Sequence, residues 1–472
     1  MTTGSIQHIV KKIFSIADSN RSSMRISEIF EMIMYLIILK YLDYIDESSN
    51  KRDLSIKEWL MGDESIFSFQ AERYKWQHWI DKSDQDRYDF LTKSVFPYLN
   101  SLEGNYMIHK FLQGLDIQDI SSRQLNSFIE VIDEIKFNEL NKYRKSDLAN
   151  SLLDVFIVND PSNLGQFVTP EPLRYLMVHL FPNLSNGRIL DPACGTGLLL
   201  TDYSKLLSEN PDSSLKIQGI DISRRMMNFA RFNFIMSEVG NSEVFRADSL
   251  SESDTKRLPN LIGEYDRVVS HPPFGLRYNP KEIRSDLDLQ SNKGDLLFLK
   301  LAMKALKSTG VACITLSPNI FFASDNATRK MRMEIVESYT PQLIVELPKG
   351  VFKPYAGVAG YITLIKKVEK RPHQNDKVLF YDLSNVENYE NHINEIIEWW
   401  NNDRYIDNEI TFSVPIQKIR DNDYILTINR YKSTNIDDSL SLSKEEILKN
   451  LLDKEEEILN RLLNLRDSMK NL

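Results

Sequence analysis

From Arg188 onward the chain alternates between short apolar runs and segments of helical or loop character, and this alternation constrains the fold more than any other feature. The runs are Arg188 to Leu190, Leu215 to Ile220, Glu243 to Arg246, Asp266 to Val269, Val311 to Leu316, Leu343 to Leu347 and Tyr361 to Ile365. Strands alternating with helices pair in parallel, and the expected architecture is a three-layer α/β sandwich. Pro348 to Gly360 joins the last two runs without a helical pattern, so the final strand is expected to run antiparallel. Val378 to Asp382 reads as one more strand and Glu387 to Asn401 as a helix.

Residues 1 to about 160 have a different texture, with apolar residues at three-to-four spacing and few glycines, and are expected to form an all-α domain. Ser27 to Ile33 leads into Tyr35 to Asp43, a helix apolar on most faces that must be buried, either in its own domain or against a partner. Further helices are expected over Asp86 to Phe96 and Ser122 to Phe137. The turn-rich stretch Asn159 to Gly165 marks a boundary. It separates a helical domain, 1–160, from an α/β domain, 161–385, and a C-terminal helical region, 386–472. In that last region Ser443-Lys444-Glu445-Glu446 is a capping box. Leu448, Leu451, Ile458, Leu462, Leu465, Met469 and Leu472 then fall on one heptad seam, interrupted by Glu455. The terminal helix docks either on its own domain or on a partner helix.

Composition narrows the compartment and the partners. With a net charge of −9, any nucleic acid must meet a local basic surface or a basic partner. Two cysteines, Cys194 and Cys313, make neither a disulfide framework nor a cysteine-rich zinc site, and no His/Cys/Asp spacing suggests a metal. Met1 to Lys12 lacks a signal peptide's apolar core and no run is long enough to span a bilayer, so a soluble, cytoplasmic chain is expected.

Chemistry collects where the runs end. The first ends in Asp191-Pro192-Ala193-Cys194-Gly195-Thr196-Gly197 before Leu198-Leu199-Leu200. Glycines between a strand and a helix let the backbone approach an anionic or carboxylate-bearing ligand closely. Leu200 stands where a dinucleotide fold wants a third small residue, which argues against a nicotinamide or flavin. The second run ends in Asp221, where a carboxylate accepts hydrogen bonds from ribose hydroxyls, and the third in Asp248-Ser249, suited to an adenine amine. Each acid alone is most often a cap or a solvated loop residue. In order, at successive strand ends, the three imply a nucleoside-containing ligand, with Asp191 placed to attract an ammonium group. The fourth run ends in Ser270-His271-Pro272-Pro273-Phe274-Gly275, a rigid loop where open α/β sheets bind ligands. Cys194, inside the glycine turn, reads as a small buried residue and not as a thiol nucleophile.

These residues resemble the motifs of class I S-adenosylmethionine-dependent amino-methyltransferases. More closely, the chain resembles the modification subunit of type I restriction-modification systems, N-6 adenine DNA methylases. Supporting stretches are Leu164 to Pro170, Lys293 to Phe298, Leu347 to Phe352 with Tyr355 to Val358, and Leu39-Lys40-Tyr41 with Asp43. The resemblance implies a Rossmann-like, mostly parallel sheet preceded by an all-α domain and followed by a C-terminal helix. Gln166, Phe167, Val168, Thr169, Pro170, Glu171, Asp191, Ala193, Gly195, Thr196, Gly197, Asp221, Ile222, Asp248 and Ser249 are then implied to hold S-adenosylmethionine. Implied partners are double-stranded DNA and a specificity subunit that chooses the sequence and pairs with the terminal helix. The family also supplies a restriction subunit, and two copies of this chain per complex.

An adenine amine is a poor nucleophile because its lone pair is delocalised into the ring. In this family a polar side chain and the first proline's carbonyl accept its hydrogens, and an aromatic residue stacks on the flipped base. By that resemblance Pro272 supplies the carbonyl, Pro273 rigidity, Phe274 the stacking face, and His271 stands where relatives carry Asn, Asp or Ser. A neutral imidazole accepts through one nitrogen in one tautomer only, and a protonated one not at all. His271 therefore replaces the oxygen imperfectly, acts as a pH-dependent acceptor, or marks a silent site. Two functions stand: an adenine-specific DNA methyltransferase subunit, and a non-catalytic S-adenosylmethionine-binding assembly or sensing component. Gly275 to Asn292, with Arg277, Lys281 and Arg284, either follows displaced DNA or is a solvated loop.

Overall fold

The structure is a computed structural model describing residues 3–19, 25–48, 51–62, 65–104, 106–113, 120–159, 168–181, 186–207, 214–352, 359–403, 407–432 and 455. The boundary stretch from Asp160, Gln166 and Phe167, Tyr355 to Val358, and the capped terminal helix apart from Glu455 lie outside the described residues. By its internal contacts the chain divides into two units, Met1–Ile428 and Asn429–Leu472.

The strands of the first unit are β1 (Asn186–Asp191), β2 (Ser214–Asp221), β3 (Ser242–Arg246), β4 (Tyr265–Ser270), β5 (Leu306–Leu316), β6 (Tyr339–Glu346), β7 (Tyr361–Lys367), β8 (Lys377–Asp382) and β9 (Thr411–Pro415). They form one nine-stranded sheet in the order β3-β2-β1-β4-β5-β7-β6-β8-β9. β1 to β5 pair in parallel with one another. β7 runs antiparallel between β5 and β6, as expected from a preceding segment whose sequence carries no helical pattern. β9 is an edge strand that sequence reasoning missed. It is short and ends at Pro415, which an edge tolerates because the missing N–H costs no internal ladder bond.

Register decides where the site lies. Asp191 pairs with Gly219, Asp221 with Arg246, and Leu190 with Val268, so the carboxyl ends of β1 to β4 share one edge. β1 lies between β2 and β4, where the strand order reverses, and the crevice at such a reversal is where open sheets take ligands.

The helical half closes one face of this sheet. Helix Arg224–Met236 starts at Ser223, whose Oγ accepts from the Met226 N–H at 3.3 Å, and is buried from Met226 to Met236. Its outer side is covered by the helix Ile26–Glu47, where Phe30 stacks on Phe156 at 4.3 Å and sits 5.1 Å from Phe229. That settles the apolar helix as part of the chain's own core. Polar links cross the same seam. Arg225 pairs with Glu31 at 3.0 Å, the Tyr41 hydroxyl donates to Glu238 at 3.3 Å, and Lys145 makes a buried ion pair with Glu238. Lys40 donates to the Asp133 carboxylate at 2.7 Å, and Asp43 accepts from the Gln77 N–H, so the Lys40-Tyr41-Asp43 stretch staples the helical half.

The helix expected over Asp86 to Phe96 begins at Asp84 and passes through a π turn, Leu91–Val95, into Phe96–Ser101. Pro97 has no N–H to give the preceding turn, and a widened turn absorbs the loss. The helix expected over Ser122 to Phe137 runs from Ser122 to Asp133, opened by a capping box between Ser121 and Gln124. Among the described residues no helix is long and apolar enough to cross a membrane.

Candidate active site

At the shared strand edge a cleft with about 710 Å³ of empty space, part of it open to solvent, is lined from several elements. Pro192 and Ala193 come from the turn after β1, Asp221, Ile222, Ser223 and Met226 follow β2, and Ala247, Asp248 and Ser249 follow β3. His271, Pro273, Leu276 and Tyr278 follow β4, and Phe298 comes from the helix Gly294–Ala305.

The floor is tied together by carboxylates. Asp221 accepts the Gly195 N–H at 3.0 Å and the Ser223 N–H at 2.7 Å, which pulls the glycine turn against the end of β2. Gly195 and Gly197 hold positive φ, and a Cβ on Gly197 would stand 3.0 Å from that of Ala230. Gly219 is needed for a different reason: a Cβ there would reach 2.8 Å from Cys194 Sγ, which confirms Cys194 as a packed core residue. Burial raises the Asp221 carboxyl above its usual range, and likewise that of Asp248, which accepts the Leu250 N–H at 2.9 Å. Carboxylates in this state gain from donors that a ligand brings.

Asp191 stands apart. It is 2 % exposed, does not line the cleft, and accepts from Ser270 Oγ at 2.7 Å and from the Ala193 N–H at 3.0 Å. Burial pushes its carboxyl up to about 7. The structure thus uses Asp191 to join the ends of β1 and β4 beneath the cleft. Thr196 and Gly197 also lie behind the lining, with the Thr196 carbonyl accepting from Asn233 at 2.6 Å.

The loop after β4 is braced on both sides. Gly275, at φ 75°, donates its N–H to Asp295 Oδ1 at 3.0 Å, while Asp295 Oδ2 accepts from Ser317 Oγ at 2.7 Å. The Gly294 N–H donates to the Leu276 carbonyl at 2.8 Å, and the Tyr278 N–H to Asn292 at 2.9 Å. The rest of the loop turns back on the β3 loop. Arg284 is 4 % exposed, donates to the Ser249 carbonyl at 2.9 Å and pairs with Asp286, so it is a structural pin and offers no charge to a displaced strand. Arg277, hydrogen-bonded to Asn292 at 3.1 Å, stays exposed.

His271, Phe274 and Phe352 form an aromatic cluster at the loop's base. Their ring centroids lie 4.8 Å apart for His271 and Phe352, and 5.6 Å apart for the other two pairs. His271 Nδ1 lies 2.9 Å from Thr169 Oγ1, and burial pushes the ring down to about 4, so the imidazole is neutral near pH 7. Phe274 packs edge-on against Phe352 and does not line the cleft. Thr169 and the partly buried Val168 precede the helix Glu171–His179, whose N-cap is Pro170.

The family model described as N-6 DNA Methylase matches residues 145–439, more than half of the chain. The chain belongs to the N-6 DNA methylase family. A model described as the HsdM N-terminal domain matches residues 9–154. Among curated relatives, a type I restriction enzyme methylase subunit of Mycoplasma pneumoniae is 24 % identical, aligned over 75 % of this chain and 68 % of its own length. One of Methanocaldococcus jannaschii is 23 % identical over 97 % and 83 % of the two chains, and one of Escherichia coli 23 % over 84 % of each. A solved type I restriction-modification methyltransferase subunit of Streptococcus thermophilus superposes with a TM-score of 0.70 at 18 % identity, covering 92 % of this chain and all of that one. A chain solved for the assembly of a type I R-M system gives 0.71 at 21 % identity, over 100 % and 99 %. The fold is therefore the class I S-adenosylmethionine-dependent methyltransferase fold with an N-terminal helical domain, and the family is one of DNA methyltransferases.

Within this N-6 DNA methylase, sequence reasoning did not assign roles to Asp295, Tyr278 or Phe352. Asp295 carries a legible signal, an acid in the first turn of a helix, but its tie to Gly275 is a tertiary fact. Tyr278 is a lone aromatic in a polar loop. Its phenol is pushed well up by burial, with Asp248 adding to the shift.

Proposed function

We propose that the chain is the methyl-transferring subunit of an adenine-specific DNA methyltransferase. It takes S-adenosylmethionine in the cleft at the ends of β1 to β4 and modifies the exocyclic amine of an adenine flipped out of double-stranded DNA. The observation that carries the reading is that Asp221 after β2, Asp248 and Ser249 after β3, and His271 and Pro273 after β4, three strand ends separated in sequence, line one cleft.

The residues present fit an adenosyl group. Asp221 keeps lone pairs beyond its two backbone donors, enough for ribose hydroxyls. Ile222 stands 67 % exposed beside it, an apolar surface that a base would cover, with Met226, Leu276 and Phe298 completing an apolar wall. Asp248 and Ser249 are at hand for an adenine amine. Bound there, S-adenosylmethionine would supply an electrophilic methyl on a sulfonium. The chain's own part is to orient the target amine and draw its hydrogens away. Pro272 is buried, and its carbonyl accepts no hydrogen bond among the described residues, which keeps it available to the amine. Neutral His271 is the second acceptor and Phe274 the stacking face. Sequence choice comes from a specificity subunit, with two copies of this chain per complex and a restriction subunit as a further partner.

His271 gives the alternative its footing, a chain that binds S-adenosylmethionine for assembly or sensing without transfer. Labelled S-adenosylmethionine and mixed-sequence DNA, supplied to the chain with its specificity partner, separate the two. Transfer by the natural chain supports the proposal. Transfer only by a His271→Asn variant establishes the silent reading, and none by either overturns methyl transfer.

A further inference from the structure

We propose that Thr169 is a positioning residue for His271: its hydroxyl accepts from the imidazole Nδ1–H, which leaves Nε2 as the acceptor presented to the target amine. The inference rests on the methyl-transfer reading and concerns how this chain does without the compact oxygen that its relatives carry at position 271.

The geometry is specific. Nδ1 and Thr169 Oγ1 lie 2.9 Å apart, and Nδ1 is the one ring nitrogen with a hydrogen-bond partner among the described residues. Thr169 is held from both sides. Its carbonyl accepts from Arg174 Nη1 at 2.8 Å, and Arg174, 4 % exposed, is itself anchored to Asp202 at 2.7 Å. The next residue, Pro170, caps the helix Glu171–His179, its carbonyl accepting from the Leu173 and Arg174 N–H groups at 3.0 Å. Thr169 is only 7 % exposed, so little water competes for its hydroxyl. On its other sides the ring meets Phe274 and Phe352, which offer neither charge nor hydrogen bond.

A neutral imidazole holds one ring proton. With the proton on Nε2, two N–H groups would face each other when an amine arrives, and the amine's hydrogens would find no acceptor there. With the proton on Nδ1, the Thr169 hydroxyl satisfies it and Nε2 accepts. A threonine hydroxyl can turn a lone pair toward Nδ1–H, whereas a valine of the same shape cannot. Without the hydroxyl an Nδ1–H would be a buried donor with nothing to bond and would carry its full desolvation penalty. The proton would then move to Nε2 and close the acceptor.

The test uses the full chain, labelled with 15N-histidine, in natural form and as Thr169→Val and Thr169→Ser variants. The His271 signal is assigned by its loss in a His271→Asn variant. The expected spectra show the proton on Nδ1 in the natural chain and in Thr169→Ser, and on Nε2 in Thr169→Val. Methyl transfer with the specificity partner should fall in kcat by about tenfold in Thr169→Val and recover in Thr169→Ser, the scale of one hydrogen bond. A proton on Nε2 in the natural chain, or a tautomer unmoved by Thr169→Val, overturns the proposal even where DNA is methylated. Absence of transfer from the natural chain and from His271→Asn overturns the methyl-transfer reading instead, and the spectra still decide the role of Thr169.

Discussion

Replacing His271 with asparagine should change how stability depends on pH, and in a direction fixed by the ring's surroundings. The imidazole sits between two phenylalanine rings and a threonine hydroxyl, and burial lowers it to about 4 from an ordinary value near 6.5. A histidine whose folded value is depressed takes up its proton more readily in the unfolded chain. Stability is therefore intact above about 6.5 and is lost as pH falls from there toward about 4. Across that window the unfolded state gains a proton that the folded state refuses, worth about 2 kcal/mol between roughly pH 8 and pH 5. Asp191 works with the opposite sign, since its carboxyl is raised to about 7 and folding becomes less opposed as pH falls, but both proteins carry it. Urea unfolding of the natural chain and of His271→Asn, at steps across that range, isolates the difference. The natural chain should lose about 2 kcal/mol more than the variant at the acid end. Parallel losses would show that the ring is not held neutral by its burial.

Other perturbations test the frame around the cleft. Asp295→Ala removes the tie from Gly275 to Ser317; proteolysis within residues 275–293 should quicken and kcat should fall, with S-adenosylmethionine affinity kept. In Gly294→Ala the new Cβ would lie 2.9 Å from that of Leu276 and 3.2 Å from its carbonyl oxygen, so a loss of about 1–3 kcal/mol is expected in denaturant unfolding. Lys145→Ala leaves Glu238 buried without its cation at the seam between the helical half and the sheet, and should cost about 3–5 kcal/mol by the same assay. Calorimetry should show S-adenosylmethionine binding by the natural chain and its loss in Asp221→Ala; equal affinities would remove Asp221 from the site.

Much of the fold was legible because alternation of short apolar runs with helical segments leaves few ways to build a sheet. The antiparallel return of β7 was expected from the lack of a helical pattern in the sequence before it, and the cleft from acids and prolines that recur at run ends. What escaped was tertiary. Nothing local distinguishes Asp191, which braces β4 through Ser270, from Asp221, which lines the cleft; both are acids after a strand, and only the burial of one separates them. Arg284 read as a loop cation because its partners, the Ser249 carbonyl and Asp286, meet it only when the loop folds back. β9 carries too short a pattern to stand out, and Thr169 pairs with His271 across 102 residues of sequence.

The most direct measurement is the product itself. Duplex DNA incubated with S-adenosylmethionine, the chain and its specificity partner is digested to nucleosides and analysed by mass spectrometry. N6-methyladenine, formed by the natural chain and lost on Asp221→Ala, is the predicted result. Unmodified adenine in DNA exposed to a chain that demonstrably binds S-adenosylmethionine would contradict methyl transfer by this protein.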